Sequence, residues 1–514
     1  MTEKVKKVKK TDLSVTILLI LGILVVANFF SYKLFLRFDL TENKIFSISD
    51  ATRNMMRQMD DVVNIKAYFS STLPSQVLSL KQEVEDVLDE YEAYSGGKVK
   101  IEFIDPVGDA DLAQELAIKG IPQLTFEVYE KDKLQLVNGY MGIAISYGDN
   151  IEVIPAVKRD TSDLEYQITT AIKKVTMDEI ATIGYLSSHG THSLTESLRA
   201  ADQGLRELYS VREVALSEEE PNIAEDIDTL LIVGAKEKFS DDQLRAINSF
   251  VVRGGALLVL VDGVSIGQGL MASKNSTGLG ALLNQYGISL NQDLVADKRS
   301  GVASFTQGFL TFSSNYPFWP KITNAGFNPD ASAVSNLENV ILPWASSVSV
   351  DTAKISEDSF KYLAFTTSEG WRISDNFNIS PNGSAVPQGE QKRYNLALAV
   401  NGTIVNAYPE EGVAENINGK IVVVGDSDFI TDGFLRNNPD NLTLFQNLVD
   451  TLSFDEDLIS IRSKGVTSRP IKELSDSSRA TIRYLNIFGL TMLVVAFGMF
   501  RYFMRRKSRF VDEI

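Results

Sequence analysis

The chain has 514 residues, with 50 Lys+Arg against 67 Asp+Glu and 44% hydrophobic residues, giving a formal charge of -17. That balance suits a folded chain of about three domains and argues against a nucleic-acid partner. Cysteine is absent, which excludes disulfides, thiol nucleophiles, zinc–thiolate sites and cysteine-ligated iron–sulfur clusters. With His189 and His192 the only histidines, a three-histidine metal site is excluded too.

The charge is unevenly spread. Residues 1–12 hold five lysines against two acids, and residues 501–514 five basic residues against two acids. Beside each basic end lies an uncharged apolar run, Leu13–Tyr32 and Tyr484–Phe500. The first, at about 1.5 Å per residue, is long enough to cross a bilayer core; the second is shorter and bounded by Arg483 and Arg501, which can snorkel. No small-residue cleavage site follows the first run, so it reads as an uncleaved anchor rather than a signal peptide. The positive-inside rule then predicts two spans in the plasma (inner) membrane, both termini cytoplasmic and the middle periplasmic or extracellular. Asn28 in the first span, and Asn486 with Gly489 on one face of the second, are the expected helix-contact positions.

The domain order expected is a cytoplasmic basic tail over 1–12, a transmembrane helix over 13–36 and a stem with a helix over 37–59. A small α/β domain over 60–160 and a linking helix over 161–180 come next. A larger α/β domain fills 181–465, with a loop-rich insertion over 262–330. A stem (466–480), a second transmembrane helix (481–503) and a cytoplasmic tail (504–514) complete the chain. Ser49 is placed to cap a helix starting near Asp50. Val62–Phe69 reads as a strand, and Pro74 opens a helix with Val77, Leu80, Val84, Val87, Leu88 and Tyr91 on one face. Val99–Ile104, a short helix over Ala110–Ile118, Leu124–Tyr129 with Leu134–Val137, and Met141–Ser146 with Ile151–Ile154 continue a β-α-β-α-β-β order that resembles a thioredoxin-like domain. Pro122 lies where such folds often have a cis proline; without cysteines, thiol–disulfide chemistry is excluded.

A helix is expected over Thr161–Val175. Ile180–Leu186, Thr229–Val233, Ala256–Val261 and Ile421–Val424 are apolar strands separated by helices, the pattern of a buried, mostly parallel sheet. Asn339–Leu342, Ala364–Thr367 and Leu396–Val400 are expected in the same sheet. Leu442–Leu452 is expected as a closing helix and Leu458–Ile461 as a last strand. The aromatics Phe305, Phe309, Phe312, Tyr316, Phe318 and Trp319 read as loops over the sheet edge.

Candidate chemistry follows strand ends. Ser187–His192 comes after one strand, and His189 with His192 suit ligand contact, a metal, a base or a hydrogen-bonded loop. Asp262, Asp426 and Asp428 follow two others, with Asp432 nearby; such acids hold Mg²⁺ or Ca²⁺, or serve as Asx turns and helix caps. Ser187, His189 and Asp426 form a triad only on paper, since no G-x-S-x-G elbow is present. No G-x-x-x-x-G-K-[ST] loop occurs either. The residues assign no catalytic group and require no cofactor and no metal.

Several segments together resemble the GldG-like family of gliding-motility-type auxiliary subunits of ABC transporters. They are Arg37–Lys44 with Ile45–Ser49, Gly142–Asp149, Asp163–Tyr166 before Ile172–Lys174, Gly425–Phe429, Asn447–Asp450 and Leu458–Lys464. The resemblance covers nearly the whole chain in order. It implies partnership with a multispan permease and, through it, a cytoplasmic ATPase, besides membrane lipid and an envelope component. It also implies a piece similar to the β-α domain of intraflagellar transport proteins. Where many relatives have His-Gly-Glu, this chain has His189-Gly190-Thr191. The expected function is a non-enzymatic auxiliary or substrate-binding subunit; the alternative is a membrane-tethered external hydrolase acting on glycan or peptide.

Overall fold

The computed structural model describes residues 19–23, 47–453 except 131–132, 160, 162, 178–179, 308, 382–386, 388 and 410–413, then 459, 461 and 476–509. The expected first span lies outside the described residues except for 19–23, which are helical, and so does Asn28. The chain divides into two units, residues 1–467 and 468–514.

Among the described residues the first unit contains a four-stranded and a seven-stranded sheet, with five smaller sheets of two or three strands. Helix α1 (Asp50–Gln58) starts at Ser49, whose side chain accepts from the Thr52 amide, as the sequence predicts. Strands β1 (Val63–Phe69) and β2 (Val99–Ile104) pair in parallel, and β5 (Met141–Tyr147) runs antiparallel to both β1 and β6 (Asn150–Ile154). The order β2-β1-β5-β6 leaves the hairpin β3 (Leu124–Glu130) and β4 (Lys133–Gly139) as its own two-stranded sheet. Helix α2 (Ser75–Tyr94) lays Val77, Leu80, Val84, Leu88 and Tyr91 against Val63, Ile65 and Ala67 of β1. Each such side chain contributes roughly 2 kcal/mol of transfer free energy. Helix α3 (Ala110–Ile118) precedes Pro122, whose preceding peptide bond is trans.

Helix α4 (Leu164–Thr176) ties the two sheets together. Leu164, Ile168 and Ile172 belong to the first core, while Tyr166 packs into the second beside Ala51 of α1. A buried polar network fixes this junction. The Glu165 carboxylate accepts from the Ser49 amide at 2.6 Å and the Thr52 hydroxyl at 2.7 Å, and the Glu90 carboxylate accepts from the Ile48 amide at 2.7 Å. The Tyr91 hydroxyl donates to the Glu165 carbonyl at 3.0 Å and lies within hydrogen-bond distance of the Thr169 hydroxyl at 2.6 Å.

The second sheet has seven strands: β7 (Thr182–Leu186), β8 (Ser210–Val214), β9 (Thr229–Val233), β10 (Ala256–Leu260), β11 (Phe360–Phe365), β12 (Asn395–Val405) and β13 (Asn416–Val424), in the order β11-β12-β13-β10-β9-β7-β8. The five from β13 to β8 are parallel; β12 is antiparallel to both of its neighbours. The central strands β9 (TLLIV) and β10 (ALLVL) are buried at every position because helices cover both faces. Helices α5 (Arg199–Arg206) and α8 (Asp440–Ser453) pack on one face. Helices α6 (Asp241–Val252) and α7 (Leu279–Tyr286) pack on the other.

Three expectations are corrected. Residues 262–330 are not mainly loops: they hold α7, the strand pair Val264–Gly267 with Met271–Lys274, and a long hairpin of Ser300–Gln307 with Leu310–Thr323. Their aromatics form a small core of edge-to-face contacts, with Tyr316 5.1 Å from Phe305 and 5.8 Å from Phe318, while Phe309 stands fully exposed at the hairpin tip. The strand Asn339–Ile341 pairs with that hairpin, not with the main sheet. Of Leu458–Ile461, expected as a strand, the described Ile459 and Ile461 are helical and buried, so apolar runs this short do not distinguish strand from helix.

The second unit contains helix α9 (Asp476–Arg509). Among the described residues no single helix is long and apolar enough to cross a membrane; Ser477–Gly489 and Thr491–Phe503, bent by 46°, meet that requirement together. Leu485, Phe488, Met492, Val495 and Met499 are exposed, as is Asn486. Gly489 is half-buried against Leu485 of the same helix.

Candidate functional site

The chain leaves β7 for β8 on one side, and then builds β9, β10 and β13 on the other. In open parallel sheets this reversal opens a crevice at the carboxyl ends of the strands. Register fixes what meets there. Leu260 pairs with both Val233 and Val424, so Asp262 and Asp426 each lie two residues beyond one row on adjacent strands. Both therefore point to the same side.

The three aspartates converge. One carboxylate oxygen from each of Asp262, Asp426 and Asp428 lies within 4.8 Å of the other two. Asp262, 8% exposed, accepts from the Ser427 amide at 2.8 Å and the Ser427 hydroxyl at 2.6 Å. Asp426 is fully buried; its Oδ1 accepts from the Asp428 amide at 2.8 Å, and its Oδ2 has no partner. Asp428 is partly exposed and faces His192, with Nε2 3.5 Å from its Oδ1. Burial, then the charge of Asp428, raises the Asp262 carboxyl to about 6. Burial, then Asp262 and Asp428, pushes Asp426 well above the usual range.

His192 is held from both sides. Its amide donates to the Val233 carbonyl at 3.1 Å, the Tyr185 hydroxyl donates to its carbonyl, and Nε2 lies 3.3 Å from Ser427 Oγ. The ring lies over Gly234, where φ is +69° and an added Cβ would sit 2.4 Å from His192 Cδ2. Gly425 is confined more severely: a Cβ there would be 2.0 Å from the Ser346 carbonyl oxygen.

His189 faces away from the aspartates into a structural role. Its ring stacks on Phe239 at 3.9 Å; Nδ1 meets the Ser188 hydroxyl at 2.8 Å and Nε2 the Gln243 side-chain Oε1 at 2.9 Å. Gln243 also closes the capping box of α6 with Ser240 and donates to the Leu216 and Ser217 carbonyls. Ser187 Oγ meets the Val214 carbonyl, so Ser187, His189 and Asp426 are not brought together as a triad. Asp432 lies outside the aspartate cluster, accepting from Arg199 Nε at 3.1 Å and the Ala200 amide at 3.0 Å at the start of α5.

Sequence reasoning missed Ser427 as the donor joining Asp262 to the Asp426 loop, and Gly234 as the space for His192. The only available signal was a serine between two aspartates. It also missed a cleft of about 240 Å³ lined by Arg299, Lys321, Arg393, Thr366, Thr367 and Ser368. These residues come from four separate stretches and share no motif.

The family model for an ABC-type uncharacterized transport system matches residues 181–454, the whole second sheet with α8. A domain of unknown function (DUF7088) matches residues 42–146. An uncharacterized protein of Borreliella burgdorferi is 26% identical over 490 residues, covering 92% of this chain and 94% of that one. Among solved structures, the mmIFT52 N-terminal domain is similar over 53% of this chain and 97% of that chain, at 16% identity and a TM-score of 0.35. A glutamine amidotransferase from Thermotoga maritima is similar over 53% and 98%, at 9% identity and a TM-score of 0.27.

Proposed function

The chain belongs to the family of ABC-type uncharacterized transport systems, as an auxiliary component, and from this premise we propose that it is a non-catalytic subunit of a membrane ABC transport complex. In this reading the two-sheet region lies outside the membrane and contacts substrate or an envelope partner. A multispan permease and a cytoplasmic ATPase supply the channel and the energy, and the relationship is GldG-like. The family match over more than half of the chain carries the reading.

Other observations support its details. The apolar residues of α9 are exposed around the helix, and its stretch 501–509 carries five basic residues, which suits a span with its last turns on the cytoplasmic side. The segment after the first apolar run is pinned by Glu90 and Glu165, so motion at the membrane would reach the junction of the two sheets directly. The β2-β1-β5-β6 order, with one parallel and two antiparallel pairings, supports a thioredoxin-like reading of the smaller region.

The test is purification of the tagged full chain from its native membrane. A permease and an ATP-binding subunit are expected to co-purify; their absence under conditions that keep the chain folded would overturn the reading. Protease added to spheroplasts should digest the middle and spare tags at both ends. Crosslinking from Gly489→Cys should exceed that from Thr491→Cys, on a background with no native thiol.

A further inference from the structure

We propose that Asp262, Asp426 and Asp428, at the carboxyl ends of β10 and β13, form a binding site for a hard divalent cation of the Mg²⁺ or Ca²⁺ class. Two independent observations carry this. The first is convergence: three carboxylates from two adjacent strand ends offer oxygens within 4.8 Å of one another. The second is Asp426 Oδ2, an acceptor on a completely buried side chain with no hydrogen-bond partner.

Other buried aspartates show that this is not how the fold treats such groups. Asp293 accepts from the Ser347 amide and hydroxyl and from Arg372, and Asp297 from the Thr367 amide and hydroxyl and the Arg299 amide. Among the described residues no lysine or arginine forms a salt bridge with any of the three clustered aspartates; the imidazole of His192 lies beside them, with Nε2 3.5 Å from Asp428 Oδ1. A buried carboxylate oxygen without a donor costs several kcal/mol unless a cation or proton compensates it.

The donor set selects the ion. Carboxylates and the Ser427 hydroxyl are hard oxygen ligands, and the chain has no thiolate, so Mg²⁺, Ca²⁺ and Mn²⁺ fit better than softer metals. Entry is from the side of Asp428 and His192, whose side chains are 29% and 13% exposed. Asp262 and the Ser427 loop form the closed wall behind the ion, and waters complete the coordination on the open side. Because β10 and β13 come from residues far apart in sequence, a cation here clamps the carboxyl edge of the sheet. The site stands apart from the transport reading and does not depend on it.

The experiment uses the full-length protein in detergent, stripped with EDTA and titrated with Mg²⁺, Ca²⁺ and Mn²⁺ by isothermal calorimetry and thermal unfolding. One cation per chain is expected, with Tm raised by several degrees. Asp426→Asn keeps the Oδ1 acceptor for the Asp428 amide and should lose the cation response while remaining folded in EDTA. Asp428→Asn, altering a partly exposed side chain, should weaken binding at least tenfold and serves if Asp426→Asn fails to fold. Asp432→Asn, outside the cluster, should respond like the wild type. Absence of stoichiometric binding by all three cations, or an undiminished response in Asp428→Asn, would overturn the site and leave a proton as the compensating charge.

Discussion

Replacing Glu165 by Ala should release the start of α1 from the body of the protein. Two charge-assisted hydrogen bonds disappear, from the Ser49 amide at 2.6 Å and the Thr52 hydroxyl at 2.7 Å. Thr52 has substitutes: its hydroxyl lies 3.1 Å from Ser49 Oγ and 3.2 Å from Thr169 Oγ1. The Ser49 amide loses its acceptor, and the cavity left by a side chain only 8% exposed adds to the loss. The net local cost is about 2–4 kcal/mol, since a bond to a charged acceptor is worth about 1.5–3 kcal/mol. Hydrogen exchange of the amides in residues 47–58 should then accelerate by roughly 30-fold to 1000-fold, at a tenfold change per 1.4 kcal/mol. Glu165→Gln retains an acceptor of the same shape and should cost only about 1 kcal/mol. Unchanged exchange in residues 47–58 of a folded Glu165→Ala protein would refute the claim that this carboxylate pins the segment.

Three further outcomes follow from the same structure. Gly425→Ala places a methyl 2.0 Å from the Ser346 carbonyl, a backbone atom that cannot rotate away, and should destabilise the chain by about 3 kcal/mol or more in denaturant unfolding. His189→Ala removes the stack on Phe239 and two side-chain hydrogen bonds, and should cost about 2–4 kcal/mol while leaving the response to divalent cations intact. The Tyr91 phenol is raised well above its ordinary 10.0, first by burial and then by the Glu165 charge, so it favours folding fully below pH 10 and that contribution falls as pH rises above it. Stability measured against pH in that alkaline range should decline less steeply in Tyr91→Phe than in the wild type.

Much of the molecule was legible because its information is local. Ser49 caps α1 at the position the sequence predicts, and the apolar face of α2 follows the period of 3.6. The strands β9 and β10 were readable because burial on both faces demands an unbroken apolar run. The insertion after Asp262 was not, since its short strands depend on partners elsewhere: Leu294–Ala296 pairs with Trp371–Ile373, and Ile288–Leu290 with Val348–Val350. No sequence window carries such a pairing.

The sequence by itself determined helices α1 to α4 and α8, the central apolar strands, the charge asymmetry of the ends and the family to which the chain belongs. It also supplied the candidate polar residues, because loops after buried strands are where polar groups can collect. Only the tertiary structure sorted them. It turned His189 toward Phe239 and Gln243, placed Asp432 at the start of α5, and gathered Asp262, Asp426 and Asp428 beside His192. The reason is that a strand's residues know their own faces but not their neighbour: strand order and register put residues 262 and 426 side by side, and both are set by packing across the whole sheet.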